Sequence, residues 1–398
     1  MDRAPGRGGL IVGGRVLAAD GSVLAGGRVA WTGAHLTEVA ADPDPEPTAA
    51  HNDPTGAAPG VTIDATGCWV LPGIVDVHGD AFERSLMPRS GVAIGPDAAL
   101  ADNDAQLLAA GITTSFLSAT DSWEPGLRSR DTLRLLVTAL ARRPRATPDV
   151  QLHVRHERCA TDGIDELGGW IDDGTIRMLS YNDHTPADVA GSAADSPVRA
   201  ARAGVDQARF GRLLAEAIER RPIGAEQERA LAEAARAAGC PTASHDAGST
   251  EDLARDLELG VAISEFPMTI ELARRYLDEG VGVLLGAPNL VRGTSHLGNL
   301  SVRDAVTADA LSMLCSDYHY PSLLGAPFVA EAAGLCDVAA AWSMVASAPA
   351  AAAGLEDRGR LAVGARADVI VVEPPPSPDG APVVRAVVSG GALALTRP

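Results

Sequence analysis

The chain has 398 residues, 46% of them apolar, and a formal net charge of −19 in which every one of the 33 basic residues is an arginine. The length allows one large domain and a small one; the absence of lysine excludes Schiff-base chemistry and a carbamylated-lysine metal bridge; and the acidic balance argues against a nucleic-acid surface. No apolar run is long enough to cross a bilayer, the N-terminal MDRAPGRGGLIVGG lacks the apolar core of a signal peptide, and five cysteines without a CxxC pair suggest a reducing cytoplasm.

Residues 8–40 read as short strands with turns at Asp20-Gly21 and Gly26-Gly27. Residues 41–60 are rich in Pro, Ala and acid, the composition of a mobile loop, and His51 within them reads as solvated. Residues 61–70 resume as a strand and lead into VLPGIVDVHGDAFERSLMPRSG, residues 70–91. There the apolar run Ile74–Val77 delivers His78 and Asp80. Side chains at i and i+2 of a strand point the same way, so an imidazole and a carboxylate leave the strand end together, as two ligands of one metal ion would. Alone, such an HxD is more often a buried His–Asp pair. Arg84 and Arg89 follow in the same loop.

From 74 onward the pattern alternates. Apolar runs at 74–78, 112–119, 151–156, 176–181, 241–244, 261–264, 282–286 and 311–316 are separated by helical stretches, such as Leu133, Leu136, Val137 and Leu140 at 3.6-residue spacing, and 225–239 with Gly239 as its C-cap. Eight such runs predict an α/β fold, a (β/α)8 TIM-like barrel. The C-terminal DRGRLAVGARADVIVVEPPP and VVRAVVSGG turn back to strands. Residues 1–70 and 355–398 are therefore expected to form one small β-domain, with the barrel, 71–354, inserted between them.

Metal-competent residues end these runs: His78 and Asp80, Glu157, Asp183-His184, His245-Asp246, and Asp317. Barrel enzymes place their chemistry at the C-terminal ends of strands. Six candidates at one mouth, His78, Asp80, Glu157, His184, His245 and Asp317, outweigh their separate readings as core residues. Three imidazoles and three carboxylates without thiolate suit two divalent ions, zinc first, with manganese or iron also fitting. A bridging Glu157 would hold them roughly 3.5–4 Å apart. Asp317 could take the proton of the attacking water, so Glu157 and Asp317 are the catalytic candidates. On 151–157, His153, Arg155 and Glu157 share the interior face and His156 lies opposite. His319 could reach substrate or simply shape its loop. Cys159 and Cys315, near strand ends, read as core. Glu265, in ISEFPMTIE, reads as a shaping residue. GAPNLVRGTSHLGN, 286–299, carries Asn289, Arg292, Ser295 and His296 among glycines that let backbone N–H groups approach an anion. By itself it would pass for an ordinary glycine-rich turn.

VLPGIVDVHGD, the flanking β segments and the late DRGRLAVGARADVIV resemble the amidohydrolase superfamily. The segments LPGIVDVHGDAFERSLMPRSGV, AGITT, SYNDHTP, ASHDAGST, EFPMT, GAPNLVRGTSHLGN and CSDYHYPSLL resemble, over nearly the whole chain, its diphosphohydrolases of the carbon–phosphorus lyase pathway. That resemblance implies hydrolysis of α-D-ribose 1-methylphosphonate 5-triphosphate to the 5-phosphate and pyrophosphate, with the metal roles on the same six residues and Arg84 where the family has a basic residue. Most amidohydrolases have HxH on the first strand and often a carbamylated lysine; this chain has neither. It also departs from the closer family. Gly79 stands where Thr is usual, Asn103-Asp104 where His-Asp is expected, and 186–210 shows little similarity. The superfamily carries its later histidines on strands five and six, which would require a further strand between 185 and 240.

The expected partner is a small anionic substrate, with no nucleic acid or membrane and a possible homo-oligomer. The alternatives are the same site acting on a C–N bond, as an N-deacylase, deformylase or deaminase, and a metal-free barrel serving as a subunit. Arg84, Arg89, Arg155 and Arg292 favour a polyphosphate, because planar guanidinium forks grip phosphate oxygens in pairs.

Overall fold

A computed structural model describes residues 8–41, 60–143, 148–185, 197–293, 300–377 and 380–397. The candidates Ser295 and His296, and His51 with most of its loop, lie outside the described residues.

The chain begins with β1 (Gly9–Leu17), β2 (Val23–Thr32), β3 (His35–Ala40), β4 (Val61–Asp64) and β5 (Trp69–Pro72). It then enters β6 (Ile74–Gly79), β7 (Ile112–Asp121), β8 (Asp149–Glu157), β9 (Met178–Asn182), β10 (Thr242–His245), β11 (Ile263–Glu265), β12 (Gly282–Gly286) and β13 (Met313–Cys315). It ends in β14 (Val369–Glu373), β15 (Val383–Ser389) and β16 (Ala392–Thr396). The terminal strands make one sheet in the order β16-β15-β14-β5-β1-β2-β3, with β4 beside β1. Alternating Ile11, Val29, Trp31, Val70, Val369, Val371 and Val388 bury its inner face, and the Trp31 indole donates to the Gly391 carbonyl at 2.9 Å, tying the two ends of the chain together.

β6 to β13 pair in parallel, in sequence order, with helices between them. Closure comes where β6 meets the residues after β13: Asp317 N–H donates to the His78 carbonyl at 3.0 Å, and Asp80 N–H to the Asp317 carbonyl at 2.9 Å. All eight strands fall on the eight apolar runs. The expected extra strand is not found among the described residues. Among the described residues between 185 and 240 there are only helices, Pro197–Arg202, Gln207–Glu219 and Arg221–Ala238, so the later histidines sit after strands four and five of the barrel.

The sheet passes into the barrel at Gly73, where a Cβ would lie 2.1 Å from Thr113 Oγ1; only glycine lets β5 turn into β6 this closely. Inside the barrel Val75, Val77, Phe116, Met178, Ala243, Ile263, Leu284, Met313 and Cys315 fill the space beneath the mouth. Outward residues such as Leu152, Val154, Leu179 and Tyr181 pack on the helices. The polar side chains are thus left to the C-terminal rim.

Candidate metal centre

Among the described residues, three of the four non-glycine residues with positive φ lie just past barrel strands: Asp246 (58°) after β10, Phe266 (59°) after β11 and Asp317 (53°) after β13. Backbone held in the left-handed region costs roughly 1–3 kcal/mol per residue and persists where the surroundings impose it. Here it turns the chain off each strand sharply at the mouth.

The imidazoles converge there. The His78 and His245 rings are 5.5 Å apart, and the His184 and His245 rings 5.3 Å. Phe266 closes the apolar side, 5.2 Å from His78 and 5.1 Å from His245. His78 Nδ1 bonds Glu265 Oε1 at 2.7 Å with both side chains buried, and Ser180 Oγ donates to Glu265 Oε2 at 2.9 Å. His184 Nδ1 bonds Glu157 Oε1, and its backbone N–H donates to Glu157 Oε2 at 3.2 Å. Both oxygens of Glu157 are therefore turned on His184. Each carboxylate takes a ring Nδ1 and leaves Nε2 for another partner, the arrangement that orients a ligating histidine. His245 Nδ1 lies 2.9 Å from Asp246 Oδ2 and has no hydrogen bond among the described residues.

Two compact donor groups result: His78, His245 and Glu265, and His184, His245 and Asp246, each with its donor atoms within 4.8 Å of one another. They share His245. A set of imidazoles and carboxylates with an orphaned, buried ring nitrogen fits one or more divalent ions. The thiols do not compete. Cys159 bonds Thr185 Oγ1, and Cys315 is sealed inside the barrel, where burial pushes its pKa up.

The electrostatics follow from burial set against neighbours. Burial opposes ionisation of Glu265, but His78 and His153 outweigh it and hold the carboxyl well below its usual range. Burial likewise opposes ionisation of Glu157, yet His184 brings it down to about 2; Glu157 in turn lifts His184 to about 9. Burial lowers His153 and His245 to about 4. Burial, then the Asp80 charge, raises Asp317 to about 6. Such clustering of displaced pKa values marks a functional site more often than a structural one.

The remaining candidates separate. Asp80 Oδ2 lies 3.6 Å from Arg155 Nη1 and 3.6 Å from Arg128 Nη2. Arg84 and Arg89 are exposed, and no contact joins them to the donor groups among the described residues. Arg292 is also exposed and donates to Tyr318 Oη at 3.4 Å. Asn289 is half-buried in the helix Ala287–Arg292. His319 bonds Ser322 Oγ at 2.7 Å. His153 faces inward, bonding the Val77 carbonyl at 3.0 Å; His156 faces outward onto Asp121 Oδ2 at 2.7 Å.

Sequence reasoning read Glu265 only as a shaping residue, named Asp246 as metal-competent without placing it among the six ligands, and missed Arg128 beside Asp80. Glu265 and Asp246 stand at or just past barrel strand ends, the signal that could have promoted them, whereas Arg128 lies seven residues beyond β7. The departures from the family pattern also acquire physical reasons. A Cβ at Gly79 would lie 2.6 Å from Asp76 Oδ2 and 2.8 Å from Ser316 Oγ. Asp76 takes both the N–H (3.0 Å) and Oγ (2.5 Å) of Ser316, so a threonine has no room. Asn103 is buried on its helix, accepting from Tyr320 Oη at 2.7 Å.

The eight parallel strands form a (β/α)8 TIM-like barrel with a separate sheet from the two ends of the chain, and the donor set at its mouth could hold a divalent ion. The chain is 28% identical over 319 residues, 78% of its length and 84% of the relative's, to the α-D-ribose 1-methylphosphonate 5-triphosphate diphosphatase of Escherichia coli (strain K12). Among solved structures it is similar in fold to a triazine hydrolase from Arthobacter aurescens (TM-score 0.63, 16% identity, 98% of this chain and 96% of that one). A prolidase complexed with N-methylphosphonate-L-proline is likewise similar (TM-score 0.60, 15% identity, 98% of this chain and all of that one). No family model matches the chain.

Proposed function

We propose that this protein cleaves a phosphoric anhydride in a small polyanionic substrate, and specifically α-D-ribose 1-methylphosphonate 5-triphosphate, releasing pyrophosphate in phosphonate catabolism in the cytoplasm. The observation that carries the proposal is the pair of donor groups sharing His245 at the barrel mouth, with a buried arginine beside them. The substrate follows from the similarity to the Escherichia coli diphosphatase. His78, Asp80, His184, His245 and Asp317 would hold the metal, zinc, manganese or iron, with Asp246, Glu157 and Glu265 able to join or orient them. A divalent ion supplies Lewis-acid neutralisation of developing charge.

The chain's own groups account for the rest. Glu265 and Glu157 keep the Nε2 atoms of His78 and His184 available. Asp317, whose pKa is raised to about 6, is matched to receiving a proton from water near neutral pH. Phe266 shields one side of the mouth from water. The arginines at the rim attract a polyanion towards a protein of net charge −19.

The test is to load the purified protein with zinc, manganese or iron and offer it the ribose triphosphate beside a panel of N-acyl and N-formyl compounds. Pyrophosphate release with the metal, and none without it, is the expected result. Turnover confined to the N-acyl or N-formyl panel would replace the proposal with C–N bond hydrolysis.

A further inference from the structure

β8 sends Arg155 into the mouth between His153 and Glu157, and closes it off at 4% exposure. A guanidinium is always charged and can only donate, so its burial demands acceptors. Among the described residues it has two close contacts of that kind, with the Glu157 and Asp317 carboxylates acting on it at longer range. Nη2 is 3.2 Å from His245 Nε2, and Nη1 is 3.6 Å from Asp80 Oδ2; Nε has no partner. Both neighbours belong to the residues proposed above to hold the metal.

The two demands conflict. Whichever ring nitrogen of His245 binds a metal ion, Nε2 can no longer accept a hydrogen bond from Arg155, because it either binds the metal or carries the ring proton. The Asp80 carboxylate loses most of its attraction for the guanidinium once it faces a divalent cation. Loading the centre therefore takes from Arg155 the partners that make its burial tolerable. A buried charge left unpaired is strongly disfavoured. An anion entering the mouth replaces what was lost, and the planar fork can take two of its oxygens at once. A neutral amide brings no compensating charge.

We infer that Arg155 is the specificity-determining residue that selects an oxyanion substrate, and that it becomes available to the substrate only when the metal is in place. The inference rests on the proposed metal-dependent reading and assigns the charge of its substrate to one side chain. It separates Arg155 from Arg84, Arg89 and Arg292, whose exposed charges water and salt screen. Metal loading and anion binding are then coupled through Arg155.

The coupling is measured by calorimetric titration of inorganic pyrophosphate into wild type, Arg155→Lys and Arg155→Gln, each metal-free and zinc-loaded, with elemental analysis and circular dichroism alongside. In the loaded proteins Arg155→Gln should bind pyrophosphate at least about tenfold more weakly than wild type, the loss of one charged hydrogen bond or more, with Arg155→Lys between them. Zinc content should not fall. In the metal-free proteins wild type and Arg155→Gln should differ by less than about twofold, because His245 and Asp80 then hold the guanidinium. Equal affinities in the loaded proteins, the same loss with and without zinc, or loss of zinc from Arg155→Gln would each overturn the inference. Should Arg155→Gln fail to fold, Arg155→Lys decides: weakening of about threefold or more in the loaded state supports the inference, and equality with wild type overturns it. Failure of the functional proposal looks different, since loaded wild type would then neither bind pyrophosphate nor cleave the triphosphate.

Discussion

Replacing Glu265 tests whether the pairing behind His78 serves the metal. The His78 Nδ1–Glu265 Oε1 contact is 2.7 Å between side chains that are 1% and 0% exposed, so it is a charge-assisted bond with no water to replace it. Losing a carboxylate that orients a ligating histidine typically costs about 10- to 100-fold in metal affinity or activity. The neighbours decide where in that range each variant falls. Glu265→Gln can still accept from His78 Nδ1–H through its carbonyl oxygen. Its amide group would face Ser180 Oγ, whose proton can turn to Asn182 Oδ1, also 2.9 Å away. The variant therefore loses charge but no hydrogen bond, and about tenfold weaker metal binding is expected, or roughly 1.4 kcal/mol. Glu265→Ala leaves Nδ1–H unpaired in a dry site and should approach 100-fold. A chromophoric chelator in competition for zinc gives the affinities, and circular dichroism reports folding. Wild-type zinc affinity in both folded variants would refute the reasoning and make Glu265 a core residue only.

Three further substitutions probe the centre and its support. Asp317→Asn keeps the shape of the side chain and removes its basicity, so kcat should fall at least about 100-fold, and a variant keeping most of its kcat would take Asp317 out of proton transfer. Glu157→Ala should lose metal and activity together, whether the carboxylate bridges ions or orients His184; elemental analysis finding wild-type content would remove Glu157 from the centre. Gly79→Ala forces a methyl group to within 2.6 Å of Asp76 Oδ2, and urea denaturation should show a loss of about 1–3 kcal/mol, the usual cost of overpacking.

The barrel was legible because each of its strands is a short apolar run between helical stretches, and because burial on both faces suppresses alternation except where a side chain matters. β8 is the informative case: His153, Arg155 and Glu157 read as one face and His156 as the other, and they contact the interior and the outer layer as that parity requires. The supposed extra strand shows the opposite. It was inferred from where relatives keep their histidines, whereas the residues 207–219 and 221–238 carry helical spacing and form helices.

The donor pairings were not legible, for a geometric reason. His78 and Glu265 are 187 residues apart, and Arg155 and His245 90 apart. Only closure of the barrel decides which strand ends face one another. Nor does sequence announce the left-handed backbone at Asp246, Phe266 and Asp317, since none of these is glycine. At Asp317 the reason can be worked out. Its N–H and carbonyl are both spent on β6, to His78 and from Asp80, so the backbone is clamped by the same strand that presents those two candidates. Glycine would relieve the strain there but would delete the carboxylate. Keeping aspartate in a conformation that favours glycine makes sense if the carboxylate is worth more in function than the strain costs in stability. Asp317→Gly should therefore keep the barrel closed, with thermal stability near or above wild type, while hydrolysis falls at least as far as in Asp317→Asn. Clear destabilisation of Asp317→Gly, measured beside Asp317→Asn, would show instead that the side chain itself holds the closure.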